Sequence, residues 1–281
     1  MFATLSPHAP GYPSALRDLP DPPATLWALG DPMMLVRPVV AIVGTRRATP
    51  YGERITRELA GALSRAGVCI VSGLARGVDA AAHRAALVEG GRTVAVMGTG
   101  VDVPYPVGHR ALHAEIAARG LVLSERPPAS RAQRGCFPRR NRIIAALADV
   151  TIVVEAGRTS GALITARHAL ELGRDVAAVP GPIDAPASAG SNTLLRDGAI
   201  LIADVADALA LAGVTPAVRR PRLAPDGDER TVWNALAHGA LELDSLVAAT
   251  ALPAARCLAA VTTLELAGAV ECELTGEIRR R

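Results

Sequence analysis

From residue 39 onward the chain keeps a regular beat. Short apolar runs rich in β-branched residues end in glycine-rich segments, and a stretch of helical periodicity follows each. The runs predict strands over 39–43, 68–71, 93–96, 121–124, 150–154, 176–179 and 200–202. Helices are predicted over 51–66, 80–89, 109–118, 139–147, 162–172 and 192–197. Strands that read as unbroken apolar runs are covered on both faces, and strands alternating with helices build a parallel sheet. The pattern predicts a Rossmann-like, doubly wound, mostly parallel α/β domain over 39–213, with the strand order left open. Residues 1–38 are rich in proline and read as an extended lead-in packed on that domain.

Residues 214–228, VTPAVRRPRLAPDGD, hold three prolines and no apolar periodicity, so they read as a linker. Beyond it, helical patterns over 229–237, 243–250 and 253–267 precede an alternating tail, 269–281, with Gly276 at a turn position. Three helices and a hairpin in this length predict a small winged-helix-like domain over 229–281.

Composition narrows the chemistry. The 281 residues are half hydrophobic but only 2% aromatic, so the core is built from Ala, Val, Leu and Ile, and an exposed ring is conspicuous. All 30 basic residues are arginine; there is no lysine. Each positive group is therefore a planar fork suited to phosphate and to stacking on bases. The net charge of +3 is too mild to name a partner, but it is uneven. Residues 1–213 carry 22 arginines against 18 acids, whereas residues 214–281 carry 8 against 9. Arg126, Arg131, Arg134, Arg139, Arg140 and Arg142 fall in one stretch without an acid between 126 and 147. The four cysteines are scattered, which argues against a disulfide or zinc framework. Neither a leader pattern nor a run long enough to span a bilayer is visible, so the expected compartment is a reducing cytoplasm with no membrane partner.

In an open parallel sheet, ligands bind outside the carboxyl ends of the strands. Those ends are glycine-rich here: Gly44-Thr45-Arg46-Arg47, Ser72-Gly73-Leu74-Ala75-Arg76, Gly98-Thr99-Gly100, Glu155-Ala156-Gly157-Arg158-Thr159-Ser160 and Pro180-Gly181-Pro182. Glycine lets backbone approach a ligand closely, and the helix N-termini that follow favour phosphate. Any one loop is explained equally by a tight turn. Five on one edge, with Arg46, Arg47, Arg76 and Arg158 among them, favour a cleft for a nucleotide or polyanion. The third glycine of G-x-G-x-x-G is missing, and without lysine a standard P-loop is excluded, so no NAD, ATP or other cofactor is expected. A second basic element is Arg134-Gly135-Cys136-Phe137-Pro138-Arg139-Arg140-Asn141-Arg142. An aromatic flanked by arginines suits single-stranded nucleic acid, the ring stacking a base and the guanidiniums tracking phosphates. The other reading makes Phe137 a buried anchor and the arginines a solvated face. Asn141 is read either as a helix cap or as a contact to a base edge.

Together these segments resemble the DNA-processing protein A family (DprA/Smf). The resemblance rests on VAIVGTRRATPYG at 40–52, IVSGLARGVDAAAH at 70–83, TVAVMGTGVDVPYP at 93–106, LSERPP at 123–128, FPRRNRIIAAL at 137–147, VVEAGRTSGALITAR at 153–167 and VPGPIDAPASAGSNTLLRDGA at 179–199. It implies a non-catalytic, cytoplasmic single-stranded-DNA binder that protects incoming strands in natural transformation, loads the RecA recombinase and forms a homodimer. Carried over by motif, the arginine of the family's G-[ST]-R loop falls on Arg46. The basic residue before the ring falls on Arg134, the stacking ring on Phe137, and the polar and basic residues after it on Asn141 and Arg142. Ser72, Ser160 and Thr165 match small polar positions near the cleft. The expected site is then Arg46, Arg134, Arg140 and Arg142 on phosphates and Phe137 on a base. Thr45, Arg47, Gly73 and Gly157 complete it from the loops. The C-terminal domain, at a net charge of −1, offers a weak footprint for DNA and is expected to be a packing or partner module.

The main rival is an enzyme of the LOG-type phosphoribohydrolases. Their P-G-G-x-G-T-x-x-E stretch has no full counterpart in 155–165, which lacks the glycine pair and the trailing Glu. Asp79 reads as an N-cap, Asp102 as a turn residue. His109 and His113 stand at zinc spacing without the Glu of H-E-x-x-H, and read as solvated helix residues. His83 and His168 read as structural. A scaffold with no DNA site is the third reading.

Overall fold

The computed structural model describes residues 2–9, 11–214, 227–266, 269–272 and 276–280. The chain divides into two compact units, Met1–Pro216 and Ala217–Arg281.

The first unit contains, in chain order, β1 (Ala3–Leu5), β2 (Leu26–Gly30), β3 (Val39–Val43), α1 (Pro50–Arg65), β4 (Cys69–Ser72), α2 (Val78–Val88), β5 (Thr93–Met97), α3 (Arg110–Arg119), β6 (Leu121–Ser124) and α4 (Cys136–Leu147). It continues with β7 (Val150–Val153), α5 (Ala162–Glu171), β8 (Asp175–Ala178), α6 (Ala189–Arg196), β9 (Ile200–Leu201) and α7 (Val205–Leu211). One nine-stranded sheet runs in the order β1-β2-β6-β5-β4-β3-β7-β8-β9. From β6 to β9 all pairs are parallel. Every residue of β3, β4, β5, β6 and β7 is buried. The unbroken apolar runs are thus central strands with both faces covered.

The order has one reversal. The chain builds outward from β3 through β4 and β5 to β6, then returns through α4 to lay β7 against the other side of β3. The loops after β3 and β7 therefore diverge and leave a crevice at their carboxyl ends, where open α/β sheets take ligands.

The seven strands expected from the pattern are present, shifted by at most a residue or so at their ends. The main difference is in the lead-in. It supplies two strands: β1 pairs antiparallel with β2, and β2 pairs antiparallel with β6. Tyr12, Leu16, Leu19 and Leu26 are buried in the same core as Ile143, Ile144 and Leu147 of α4. The prolines around β2 hid it, since proline cannot donate to a ladder and is confined to edges and strand ends. Helix α7 was also not expected; Asp204 and Asp207 close a capping box at its start.

Helix α4 begins three residues before its expected start at 139, so Phe137 and Pro138 lie in its first turn. A proline fits there because the first turn needs no backbone N–H.

The second unit has α8 (Gly227–Ala235), β10 (Leu241–Glu242), α9 (Leu243–Thr250), α10 (Ala254–Leu266), β11 (Val270–Cys272) and β12 (Glu277–Arg280), with a sheet in the order β10-β12-β11. Val232, Leu246, Cys257, Leu264 and Ile278 form its core. This is the winged-helix-like arrangement expected. The sequence-derived linker lies mostly in 215–226, outside the described residues. Arg256, the one arginine in 253–267, is held by Asp228 through two contacts of 2.7 Å. Arg279 pairs with Glu271, and Arg280 bonds the Trp233 carbonyl and covers its ring.

If the lead-in is part of the sheet's core, truncating it exposes a void. Leu26→Ala is expected to destabilise the first unit by about 2–5 kcal/mol, read as a lower urea midpoint. A shift no larger than that of a surface substitution would contradict this packing.

Candidate nucleic-acid interface

The crevice at the β3–β7 reversal holds a cavity of about 440 Å³ lined by Thr45, Arg46, Arg47, Phe137, Asn141, Gly157, Ser160 and Thr165, with Asp79 and Arg140 also at its walls. A second cavity of about 260 Å³ adjoins it, sharing Arg46, Arg47, Phe137 and Arg140 and adding Gly73, Arg76 and Tyr105. A third, of about 630 Å³, lies at the ends of β5 and β6 and is lined by Arg126, Arg134 and Arg139.

The loop after β3 is pinned on both sides. Thr45 donates its N–H to the Glu155 carbonyl (2.7 Å), and its own carbonyl accepts from Val78 (3.3 Å). Thr49 caps α1 by accepting from the Gly52 N–H, while both oxygens of the buried Glu155 carboxylate accept from Thr49. This leaves Arg46 and Arg47 exposed on a rigid turn.

Phe137 is half-buried. Its ring packs against Gly98, where a Cβ would approach to 2.9 Å, so only glycine leaves room for it. Tyr105 stacks on the ring at 5.0 Å with 29° between planes, and the Arg46 guanidinium lies 5.4 Å from the ring centroid. The ring is thus wedged against Gly98 as an anchor would be, and it also lines the first two cavities. Tyr105 was missed by sequence reasoning. Its signal was its rarity, as one of three tyrosines, beside a glycine-rich loop.

The arginines of 126–142 divide into two kinds. Arg134 is exposed, at the third cavity. Arg140 was expected on a phosphate, but the fold takes it inside: it is 4% exposed and its Nη1 donates to the carbonyls of Gly73 (2.7 Å) and Val96. A side chain on Gly73 would collide with this guanidinium. Arg142, also expected on a phosphate, is mostly buried and paired with Glu125 at 2.5 Å, with Asp21 of the lead-in at 3.8 Å. Arg140 Nη1 and Arg142 Nη2 thus engage protein oxygens, because the α4 face that carries them points toward the sheet and the lead-in. Asn141 donates Nδ2 to the Gly161 carbonyl (3.1 Å) and fixes the loop after β7. It does not cap its helix, and it lines the first cavity.

Ser72 is fully buried, donating to the Ile42 carbonyl (2.6 Å), so its hydroxyl ties β4 to β3 beneath the cleft. Ser160 accepts from the Ala162 N–H at the start of α5 (3.3 Å), and Thr165 is buried one turn further at the cavity wall. Arg158 is exposed but lines none of the three cavities.

Asp79 lies in the first turn of α2 and is not its N-cap; its carboxylate accepts from the N–H groups of Gly73 (3.1 Å) and Ala75 (3.3 Å). Burial pushes its pKa up, while the nearby Arg140 charge and these two N–H groups pull it down. His109 and His113, read as solvated, each hold a backbone carbonyl, of Leu74 (3.0 Å) and Val101 (2.8 Å). Among the described residues no group of His, Cys, Asp and Glu is placed to hold a metal ion.

The model of the DNA recombination-mediator protein A family matches residues 3–213. The chain belongs to this family. The DprA winged helix domain model matches residues 216–276. Among relatives, a Mycobacterium tuberculosis protein named for DprA is 46% identical over 263 residues, 89% of this chain and 67% of that one. The X-ray structure of DprA from Streptococcus pneumoniae superposes with a TM-score of 0.72 at 42% identity, covering 74% of each chain. DprA from Helicobacter pylori, solved to describe its single-stranded DNA binding mode, superposes at 0.69 with 35% identity over 76% of this chain and 98% of that one. DprA membership confirms the Rossmann-like fold with a winged helix.

Buried beside Arg140 is His83, whose Nδ1 meets the Thr93 hydroxyl at 2.7 Å. Burial, and then the Arg140 charge, lower its pKa from 6.5 to about 3. Between those values the unfolded chain binds the proton and the folded chain does not. Stability is therefore fully present above 6.5 and falls as pH drops toward 3, at up to about 1.4 kcal/mol per pH unit from this group. Urea titrations at pH 7 and pH 5 are expected to show the loss, and His83→Gln to reduce it; an unchanged pH dependence in that variant would assign the loss elsewhere.

Proposed function

We propose that this chain binds single-stranded DNA along the carboxyl rim of its sheet, protects it and presents it to the RecA recombinase during DNA processing in transformation. The observation that carries this reading is the exposed Arg46 guanidinium poised 5.4 Å from the half-exposed Phe137 ring, in a cavity at the strand-order reversal. Arg46, Arg47 and Arg134 take phosphates. Phe137 and Tyr105 offer an aromatic platform for bases, worth about 1–3 kcal/mol per stacked base. The loops holding Thr45, Gly73, Gly157 and Ser160 line the rest of the site. The H. pylori relative's single-strand binding supports this reading.

A duplex hides its base faces, so single strands are preferred, and phosphate contacts add affinity without sequence preference. No catalytic residue is assigned. The carboxylates nearest the cleft, Glu155 and Asp79, are occupied in holding Thr49, Gly73 and Ala75. The protein acts in the cytoplasm; among the described residues no single helix is long and apolar enough to cross a membrane. The winged-helix unit serves packing or a partner, since its arginines at 256, 279 and 280 are each engaged within the unit. The chain forms a homodimer across the free edge of β9, whose Ile200 and Leu201 are 38% and 51% exposed.

Anisotropy titrations of single- and double-stranded oligonucleotides at two salt levels test the binding. Wild type is expected to prefer the single strand, Phe137→Ala to lose about 1–3 kcal/mol, and Arg46→Ala to flatten the log K against log salt slope by about 0.7. Removing residues 214–281 is expected to change affinity far less than Arg46→Ala. A flat salt response, equal binding of duplex, or release of adenine from AMP would overturn the assignment. For the dimer, sedimentation of Leu201→Glu is expected to give a monomer where wild type sediments as two copies.

A further inference from the structure

The loop after β4 holds a backbone conformation that its sequence does not favour. Leu74 has a φ of +57°, in the left-handed region that glycine prefers, yet it is a leucine with no exposed surface. Such a backbone persists only where its surroundings impose it, and such places gather at ligand sites and clamps. Three side chains impose it here. Asp79 of α2 accepts from the N–H groups of Gly73 (3.1 Å) and Ala75 (3.3 Å), and Arg140 of α4 donates to the Gly73 carbonyl (2.7 Å). The third is His109, just before α3, whose Nδ1 donates to the Leu74 carbonyl (3.0 Å). A carbonyl only accepts, so this nitrogen carries a proton.

The His109 contact differs from the other two in what it joins. The segment 98–109 carries Tyr105, and Tyr105 stacks on Phe137. Gly73, Ala75 and Arg76 line the second cavity from the β4 loop, and Tyr105 and Pro106 line it from the segment after β5. Among the described residues, the bond from His109 to Leu74 is the one hydrogen bond that joins 73–77 to 98–109. The spacing of these two walls, and with it the place of the Tyr105 ring, therefore depends on this imidazole. His109 itself lines none of the three cavities at the rim.

We propose that His109 is a positioning residue for base stacking: by holding the Leu74 carbonyl it fixes the Tyr105 segment against the β4 loop and so sets the two rings that receive bases. The proposal rests on the single-strand reading above and adds to it a residue that acts through Tyr105 without touching the strand. Three substitutions separate the hydrogen bond from the shape and charge of the ring. His109→Asn keeps a donor one atom beyond Cγ, where Nδ1 stands. His109→Gln carries its donor one atom further out. His109→Leu fills the space with no donor and leaves a buried carbonyl unpaired.

The full chain is titrated with labelled dT12 at two salt levels. His109→Leu and His109→Gln are expected to weaken binding about five- to tenfold at an unchanged salt slope, because the arginines on phosphates are untouched. His109→Asn is expected to bind as wild type. Tyr105→Ala weakens binding too, and adding His109→Leu to it is expected to bring no further loss, because the ring that His109 positions is gone. Losses that multiply in the double variant would overturn the proposal, as would wild-type affinity in His109→Leu or a weakened His109→Asn. If Tyr105→Ala itself binds as wild type, the stacking role given to Tyr105 fails, and the proposal with it. If wild type does not bind dT12, the single-strand reading fails. Thermal melting checks the fold of each variant, and His109→Gln carries the comparison should His109→Leu be unfolded at the assay temperature.

Discussion

A guanidinium sits under the rim of the sheet, almost wholly out of water. Arg140 reaches from α4 to the carbonyls of Gly73, after β4, and Val96, near the end of β5. A buried cation is costly unless its donors are satisfied and an opposite charge is near. Carbonyls hold Nη1, while Nε is buried without a partner, and Asp79 brings an opposite charge near; burial raises the Asp79 pKa and the Arg140 charge opposes that rise. Removing either member leaves the other uncompensated, so the two hold the β4 loop, the β5 end and α4 in one geometry. Phe137 is three residues earlier on the same helix, and its distance from Arg46 follows from that geometry.

The rim then separates arginines by duty. Arg140 and Arg142 are spent on holding loops and on Glu125 and Asp21, whereas Arg46, Arg47 and Arg134 are left facing solvent. A fork with five donors suits both duties, one by bridging protein oxygens and the other by engaging phosphate. Tyr105 and the wedge at Gly98 give Phe137 a fixed orientation before any ligand arrives. Ordering an aromatic in advance lowers the entropic cost of binding.

Much of this was legible in the chain. The strands 39–43, 121–124 and 150–154 stand where unbroken apolar runs placed them, and the glycine-rich loops do gather on one edge. Phe137 stood out from its arginine neighbours, and the family's motifs singled out Arg46 among the loop arginines. The rest was hidden for identifiable reasons. The proline-rich lead-in contains two strands that pair antiparallel, a choice made by the free edge of β6 and invisible in a five-residue run such as LWALG. The duties of Arg140, Asn141 and Ser72 could not be separated from those of exposed neighbours, because a helix or strand turns successive residues toward different surroundings. Tyr105 joins Phe137 across 32 positions, a pairing that no local pattern encodes.

Apolar periodicity and glycine placement, being local, determined from the sequence alone a doubly wound sheet with a small helical unit after it. An arginine-only basic set near Phe137 favoured a polyanion, and the family motifs narrowed that expectation to single-stranded DNA. What remained for the tertiary structure was selection. Strand order put the reversal between β3 and β7 and so chose which loops diverge. Burial chose which arginines keep their donors free, because a guanidinium's availability depends on the oxygens around it and those come from distant parts of the chain.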